Sequence, residues 1–321
     1  MRKFWIAALF AIGLGACSND ADQSSNGTIE MTELSAIRDL WDFGDPAVSE
    51  TRFRELAADA EAAGNGAYAA EAMTQVARTF SLRRDFDQAN ANLDMVDGGA
   101  FGEVPVVRVR SLLERGRALN SGGQPDAALP HFEEAYEIAA ANGEDFLAGD
   151  ALHMAGIASD LESEERWLNA LVEFVAANPD TPADYWFAAM RNNLGWSFFS
   201  AERYDDALAQ FRLSRDAYAE MDGKHYETLI ADYSTGRTMR FLGECAEALP
   251  LQEATYAALE AEFETQDEYV TEEIALCRAA LGNAEGAREA AAIAFAKFSE
   301  DSWFVENEAE RLEALRELSG N

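Results

Sequence analysis

A small residue, glycine or alanine, recurs about every 40 positions along this sequence. The six markers are Ala77, Gly116, Gly156, Gly195, Gly236 and Ala275. Twelve residues beyond them stand Ala89, Ala128, Leu168, Ala207, Ala248 and Ala287. Small residues on both helices of a pair let the two backbones approach closely, so each period predicts two amphipathic helices that cross at the marker. A helix pair of this size buries its apolar side only against similar pairs, and the sequence therefore predicts a repeat array.

The clearest unit extends from Ala188 to Tyr218, with a break at Ala201–Glu202–Arg203 between its two helices. The register continues at positions 16 and 19 beyond each marker. They are Leu93, Val96, Phe132, Ala135, Val172, Val175, Phe211, Ser214, Gln252, Thr255, Ala291 and Ala294. Leu168 and Gln252 depart from the pattern, so the third and fifth pairs fit it least.

One charged residue also departs from the repeat. The position three beyond the marker is apolar in Phe80, Leu119, Phe198 and Met239, but the last unit has Arg278 there. We expect Arg278 either to be paired or to mark a change of register.

The small-residue register resembles the tetratricopeptide repeat over roughly residues 66–300. Aromatic residues precede the second helix at Phe86 and Tyr204, and Asp-x-Ala enters it at Asp87, Asp126 and Asp205. The usual unit has about 34 residues, whereas this one has about 40, with the surplus in the loops between units. A HEAT-like array at the same period is the alternative, but it lacks a glycine followed by alanine twelve residues later.

The resemblance implies an all-α fold, a right-handed α-solenoid of about six to seven antiparallel helix pairs over residues 30–300. Thr32–Phe43 and Ser49–Ala63 are predicted to form a leading pair, with Asp45 and Ser49 as entry signals and Gly64 as the stop. Trp303–Leu318 is predicted to form a capping helix within residues 301–321, because a linear array must cover its last apolar edge.

The N-terminus resembles that of a bacterial lipoprotein. Residues 1–16 combine Arg2 and Lys3 with a short apolar run, which is typical of a secretory signal peptide. Leu14–Gly15–Ala16–Cys17 is similar to a lipobox, which implies cleavage before Cys17 and its lipidation. Residues 17–29 would then be a flexible tether, and Ser18 implies an outer-membrane lipoprotein facing the periplasm. An ordinary signal peptide with an incidental cysteine is the alternative.

Charge limits the partners. The chain has 59 acidic residues against 25 lysines and arginines, a formal charge of −34. Such a chain repels phosphate backbones, so nucleic-acid binding is not expected, and membrane contact is expected only through the lipid anchor.

Two cysteines remain once Cys17 is lipidated. Cys245 begins a predicted second helix, and Cys277 lies late in the next first helix, so antiparallel packing brings them together. A disulfide in an oxidising periplasm and a pair of buried free thiols are both open interpretations.

The sequence contains few candidates for catalytic or metal-binding residues. The three histidines, His131, His153 and His225, fall in different units without a partner at metal-ligand spacing. Phosphate-loop, zinc-protease and serine-hydrolase motifs are missing from the sequence. We therefore expect neither a catalytic centre, nor a metal, nor a cofactor.

A binding groove is the better-supported site, because the resemblance implies that the first helices line a concave surface. The candidates on that face are Arg78, Arg110, Arg117, His153, Asn192, Asn193, Trp196, Phe199, Tyr233, Arg237 and Arg240. Arginine suits carboxylates because its planar fork donates two parallel hydrogen bonds, and asparagines can hold a peptide backbone. Alternatively, several of these arginines only neutralise acids on adjacent helices.

These features predict a lipid-anchored scaffold or adaptor that binds a protein or peptide, such as an acidic segment or the C-terminus of a partner. The alternative function is a regulatory or substrate-delivery subunit of an envelope enzyme or assembly machine.

Overall fold

The computed structural model describes residues 37–178 and 180–320, and its regular elements there are helices. The described residues divide into two compact units, with the boundary between residues 190 and 191; we call them unit 1 and unit 2. Helices that begin in unit 1 are α1 Pro46–Ala62, α2 Gly66–Leu82, α3 Phe86–Asp97, α4 Pro105–Ser121, α5 Pro125–Asn142, α6 Asp145–Ile157, α7 Leu161–Ala177, a 3-10 helix at Pro182–Tyr185 and α8 Trp186–Ser200. Unit 2 continues with α9 Tyr204–Ala219, α10 His225–Phe241, α11 Cys245–Phe263, α12 Glu268–Ala280, α13 Ala284–Phe298, α14 Ser302–Asn307 and α15 Ala309–Ser319.

The predicted all-α array of helix pairs is confirmed, and its turns explain the pairing. In five of the six described pairs, the middle residue of a three-residue turn has a left-handed backbone: Arg84, Gly123, Glu202, Gly243 and Gly282. In each of these turns the next N–H donates to a carbonyl five residues earlier, as from Asp85 to Phe80 at 2.9 Å. This geometry ends the first helix and turns the backbone back along it.

Three glycine markers lie at equivalent crossings, as the spacing predicts. A Cβ atom at Gly116 would lie 2.4 Å from the ring of Phe132, and one at Gly195 would lie 2.6 Å from Phe211. In the fifth pair the polar Gln252 takes the place of the ring, 2.4 Å from a Cβ at Gly236. Its amide is buried but satisfied in part, because it donates to the carbonyl of Tyr233 at 2.9 Å. The residue sixteen positions beyond the glycine therefore fills each crossing.

The third pair, which fits the repeat least, packs its second helix differently from the others. Val172 is 40% exposed, whereas Leu171 and Phe174 are buried in its place. The turn before α7 is the cause, because Asp160 has ψ 171° while the equivalent residues of the other five turns have ψ between 44° and 76°. The different entry angle rotates α7 about its axis. As a result, a Cβ atom added at Gly156 would have no neighbouring atom closer than 3.6 Å.

The leading pair is only partly as predicted. Asp45 caps α1 by accepting from the N–H groups of Ala47 and Val48, and Gly64 follows the helix with φ +78°. Ser49 is not an entry signal but a buried residue whose Oγ donates to the carbonyl of Asp42 at 2.9 Å. Within Thr32–Phe43, residues 37–39 are helical, and residues 32–36 lie outside the described part of the protein.

The prediction of a single capping helix over Trp303–Leu318 was wrong, because Glu308 separates α14 from α15. The break follows Asn307, whose side-chain amide donates to the carbonyl of Trp303 at 2.8 Å. Phe304 stacks on Phe298 at 3.8 Å between ring centroids, and Leu315 is buried beside them. The two short helices thus still cover the apolar edge of α13.

The predicted signal peptide, Cys17 and the tether at residues 17–29 lie outside the described residues. None of the helices within residues 37–178 and 180–320 combines the length and apolar character needed to cross a bilayer.

Candidate binding surface on the first helices

The predicted groove residues occupy repeated positions on the first helices. In α8 they are Asn192, Trp196 and Phe199, and in α10 they are Tyr233, Arg237 and Arg240. Each set lies three before, one after and four after its glycine marker, so each forms a stripe along one helix face. We call these six residues the unit 2 stripe.

Aromatic rings and guanidinium groups meet across the unit 2 stripe. The centroids of Trp196 and Tyr233 are 6.5 Å apart, and the guanidinium of Arg237 lies 5.6 Å from the centroid of Phe199. Phe241 contacts Phe199 at 4.8 Å and lies 4.5 Å below the guanidinium of Arg240. With 40% of its surface exposed, Phe241 joins the surface although the sequence analysis missed it. Its position directly after Arg240, at the helix end, was the available signal.

The arginines of the unit 2 stripe hold a buried carboxylate. Arg237 Nη1 and Arg240 Nε donate to the two oxygens of Glu273, each at 2.5 Å. Burial by itself raises the pKa of the fully buried Glu273, but the two guanidinium groups outweigh it and keep that pKa below its ordinary value. Glu272 is held in turn by Arg311 of α15. These ion pairs connect α10, α12 and α15.

The arginines of unit 1 are also paired internally. Arg117 donates to both oxygens of Asp150 at 2.6 Å and to Glu114 at 2.6 Å. Arg78 lies 3.6 Å from Glu114. Burial raises the pKa of Asp150, but Arg117 outweighs burial and the pKa is lowered. This network connects α2, α4 and α6.

A second unit 1 pair joins α2 to α4. Arg110 Nε donates to Glu71 Oε1 at 2.5 Å, and both side chains are buried. All five predicted arginines therefore have acidic partners on neighbouring first helices, as the alternative interpretation expected. Their role in binding an acidic partner stays a prediction.

These pairs follow the repeat. Arg78–Glu114 and Arg237–Glu273 both join an arginine one after a marker to an acid two before the next marker, a separation of 36 residues. An acid 36 residues after an arginine is visible in the sequence, and it could have predicted these ion pairs.

The remaining candidates differ in accessibility. His153 is buried and stacks on Trp186 at 4.9 Å between centroids. Burial, with Arg117 and Arg78 nearby, lowers the pKa of His153 to about 4 although Asp150 opposes the shift, so the ring is neutral at pH 7. Asn193 is buried as well, whereas Asn192 is half-buried. His153 and Asn193 are therefore packing residues of their helices rather than open contacts.

The two cysteines lie in one apolar cluster with Leu208, Met239 and Ala248. Both are buried and carry free thiols in this structure. Burial, together with Cys245, raises the pKa of the Cys277 thiol. Their proximity agrees with the antiparallel packing predicted for α11 and α12, and the disulfide stays a prediction.

Within the residues that the structure describes, there is no group of three or more histidine, cysteine or acidic side chains arranged to hold a metal ion. Arg278 is paired, in agreement with one of its two expected states, because its Nη2 donates to Glu253 Oε1 at 2.8 Å.

Turns, crossings and ion pairs recur together along the described residues. This chain is a helical-repeat protein. Neither a protein-family model nor a curated protein matches its sequence. Among solved structures, it is similar to a tetratricopeptide repeat protein from Parabacteroides merdae, at 14% identity over 91% of this chain and 98% of that one, with a TM-score of 0.47.

Two other similar structures are a peptide complex and a set of nearly identical repeats. NprR in complex with its cognate peptide NprX has 14% identity, covers 91% of this chain and 85% of that chain, and gives a TM-score of 0.45. The nearly identical TPR-like repeats of a Podosopora anserina kinesin light chain have 16% identity over 76% of this chain and 92% of that chain, with a TM-score of 0.34. The repeat fold of the present protein is assigned from its own helix crossings.

Proposed function

We propose that this protein is a lipid-anchored periplasmic scaffold that binds a segment of a partner protein on the unit 2 stripe. The observation that carries the proposal is the presence of partly exposed aromatic rings beside guanidinium groups on successive first helices. A few residues carry most of the binding energy of a protein interface, and tryptophan, tyrosine and arginine are enriched among them. The lipobox-like Leu14–Cys17 supports the anchor and the envelope location.

The two units differ in how their arginines share the buried acids. In unit 1, the paired groups are Arg78, Arg110 and Arg117 against Glu71, Glu114 and Asp150, which balance. In unit 2, Arg237, Arg240 and Arg311 pair with Glu272 and Glu273, so two of the arginines share the single carboxylate of Glu273. The charges of Arg311 and Arg237 also act on the nearby Glu308.

Arg237 and Arg240 also have N–H donors that are not hydrogen-bonded to Glu273. A guanidinium carries five N–H donors, and Arg237 and Arg240 share the two oxygens of one carboxylate. A carboxylate of the partner can therefore bind the outer edge of Arg240 while Glu273 keeps its place. The apolar side chains of the partner would pack on Phe199 and Phe241.

The test is capture of partners from envelope extract with the mature domain, followed by cross-link mapping of the bound segment. The variant Phe199→Ser with Phe241→Ser removes apolar contact area without breaking an ion pair, and we expect it to lose the partner. The control Leu213→Ser with Leu281→Ser removes two exposed apolar side chains elsewhere in unit 2. Equal capture by the two double variants, or cross-links that avoid α8 and α10, would refute the site.

Changing Arg237 or Arg240 to glutamate would be a poor test. The change would place a second carboxylate against the buried Glu273, and uncompensated buried charge destabilises the fold itself.

A further inference from the structure

A cleft of about 420 Å³ lies in unit 2 between α11 and α13, with α12 as its floor. Tyr256 of α11, Ile274 of α12 and Ile293 of α13 supply its apolar walls. Ile293 is 44% exposed, so an apolar side chain faces solvent at the cleft. The cleft shares no residue with the unit 2 stripe, and binding in it is independent of the function proposed for that stripe.

The cleft has an origin in the sequence. Arg278 occupies the position three beyond the marker, where Phe198 and Met239 are buried in the preceding units. The guanidinium of Arg278 is drawn aside, because it donates to Glu253 Oε1 at 2.8 Å and to the carbonyl of Gly286 at 3.2 Å. The equivalent Met239 lies in an apolar cluster with Leu208 of α9 and Ala248 of α11, the two second helices beside it, whereas Arg278 lines the open cleft.

The charged groups of the cleft do not balance. Glu253 and Glu289 both line it, and Arg278 neutralises one of the two carboxylates. Glu289 is exposed on α13 and takes part in none of the ion pairs found among the described residues. The cleft thus combines an apolar lining with one carboxylate more than its single arginine can neutralise. The protein as a whole has a formal charge of −34.

We propose that this cleft binds a lysine or arginine side chain presented by a basic amphipathic segment of a partner protein. Lysine and arginine have apolar stems and charged ends, so the stem packs on Ile274 and Ile293 while the cation meets Glu289. Tyr256 also lines the cleft, and an aromatic ring attracts a nearby cation. The apolar lining by Ile274 and Ile293 leads us to propose an amphipathic segment, in which an apolar neighbour accompanies the basic side chain.

The probe is a helical peptide of about five turns, built from leucine and lysine with the lysines on one face, and its control replaces every lysine by glutamine. Binding to the full protein is followed by methyl NMR of the isoleucines. We expect the lysine peptide to shift Ile274 and Ile293, while Ile138 and Ile157 of unit 1 stay unchanged. Shifts confined to other isoleucines, or equal shifts with the glutamine peptide, would overturn the proposal.

Variants separate a specific site from general attraction to an acidic protein. Glu289→Gln removes the proposed contact and is expected to weaken binding by up to about fivefold, because an ion pair of an exposed carboxylate contributes up to about 1 kcal/mol. Glu133→Gln removes the same charge from an exposed position on α5 and is expected to change binding by less than about twofold. Both side chains are exposed, so both variants should fold. Equal weakening by the two variants would mean that net charge alone attracts the peptide, and the site would be refuted.

Discussion

Gly116→Ala tests whether the recurring glycines are required by the helix crossings. The added Cβ would lie 2.4 Å from Cε1 and 2.6 Å from Cζ of Phe132. Ordinary van der Waals contact begins near 3.4 Å, so the ring must move by about 1 Å. Phe132 is fully buried, and a packed interior has no free volume to receive the ring.

Two effects oppose one another in this variant. Alanine in a helix interior is favoured over glycine by about 1 kcal/mol. Overpacking a well-packed core costs about 1–3 kcal/mol. The overpacking effect dominates, and we expect the free energy of unfolding to fall by up to about 2 kcal/mol, which is the overpacking cost less the propensity gain. For a protein of this size the melting temperature should drop by roughly 2–4 °C per kcal/mol.

Gly156→Ala is the matched control, because the nearest atom to its Cβ is Met190 Cε at 3.6 Å. The propensity gain then acts alone, and the free energy of unfolding should rise by up to about 1 kcal/mol. Urea unfolding followed by far-ultraviolet circular dichroism measures both changes. If Gly116→Ala were as stable as the wild type, or if Gly156→Ala were the more damaging change, the close crossing at Phe132 would be refuted.

Two further predictions concern a buried histidine and the anchor. Because the pKa of His153 is about 4 when folded and near 6.5 when unfolded, the unfolded chain binds the proton first as pH falls from 6.5 to 4. The free energy of unfolding should therefore decrease by up to about 3 kcal/mol over that interval, and it should decrease less in His153→Gln. Urea titrations at several pH values measure this dependence. If the free energy of unfolding changed equally with pH in the two proteins, the prediction would be contradicted. Cys17→Ser should release the protein from membranes into the soluble fraction of the envelope, and membrane retention of this variant would refute lipid anchoring.

For the candidate site, the sequence predicted the positions of the residues but not their contacts. The repeat placed the predicted groove residues on the first helices, because position along a helix follows from spacing alone. It did not reveal which arginines were engaged. Arg117 meets Asp150 because α4 and α6 are neighbours, and Arg110 is buried because α2 packs on α4. Phe241 and the exposed cleft beside Arg278 also depend on contacts between helices.

The sequence by itself determined the helix pairs, their turns and the crossings at Gly116, Gly195 and Gly236. Those features depend on local backbone freedom and on the size of one side chain, and both are properties of residue type. Only the tertiary structure decided the rotation of α7 after Asp160, the pairing of each arginine and the cleft left by Arg278. A helix face and an ion pair depend on the angle and distance at which separate elements meet, and a change of one turn dihedral is enough to select different residues for the core.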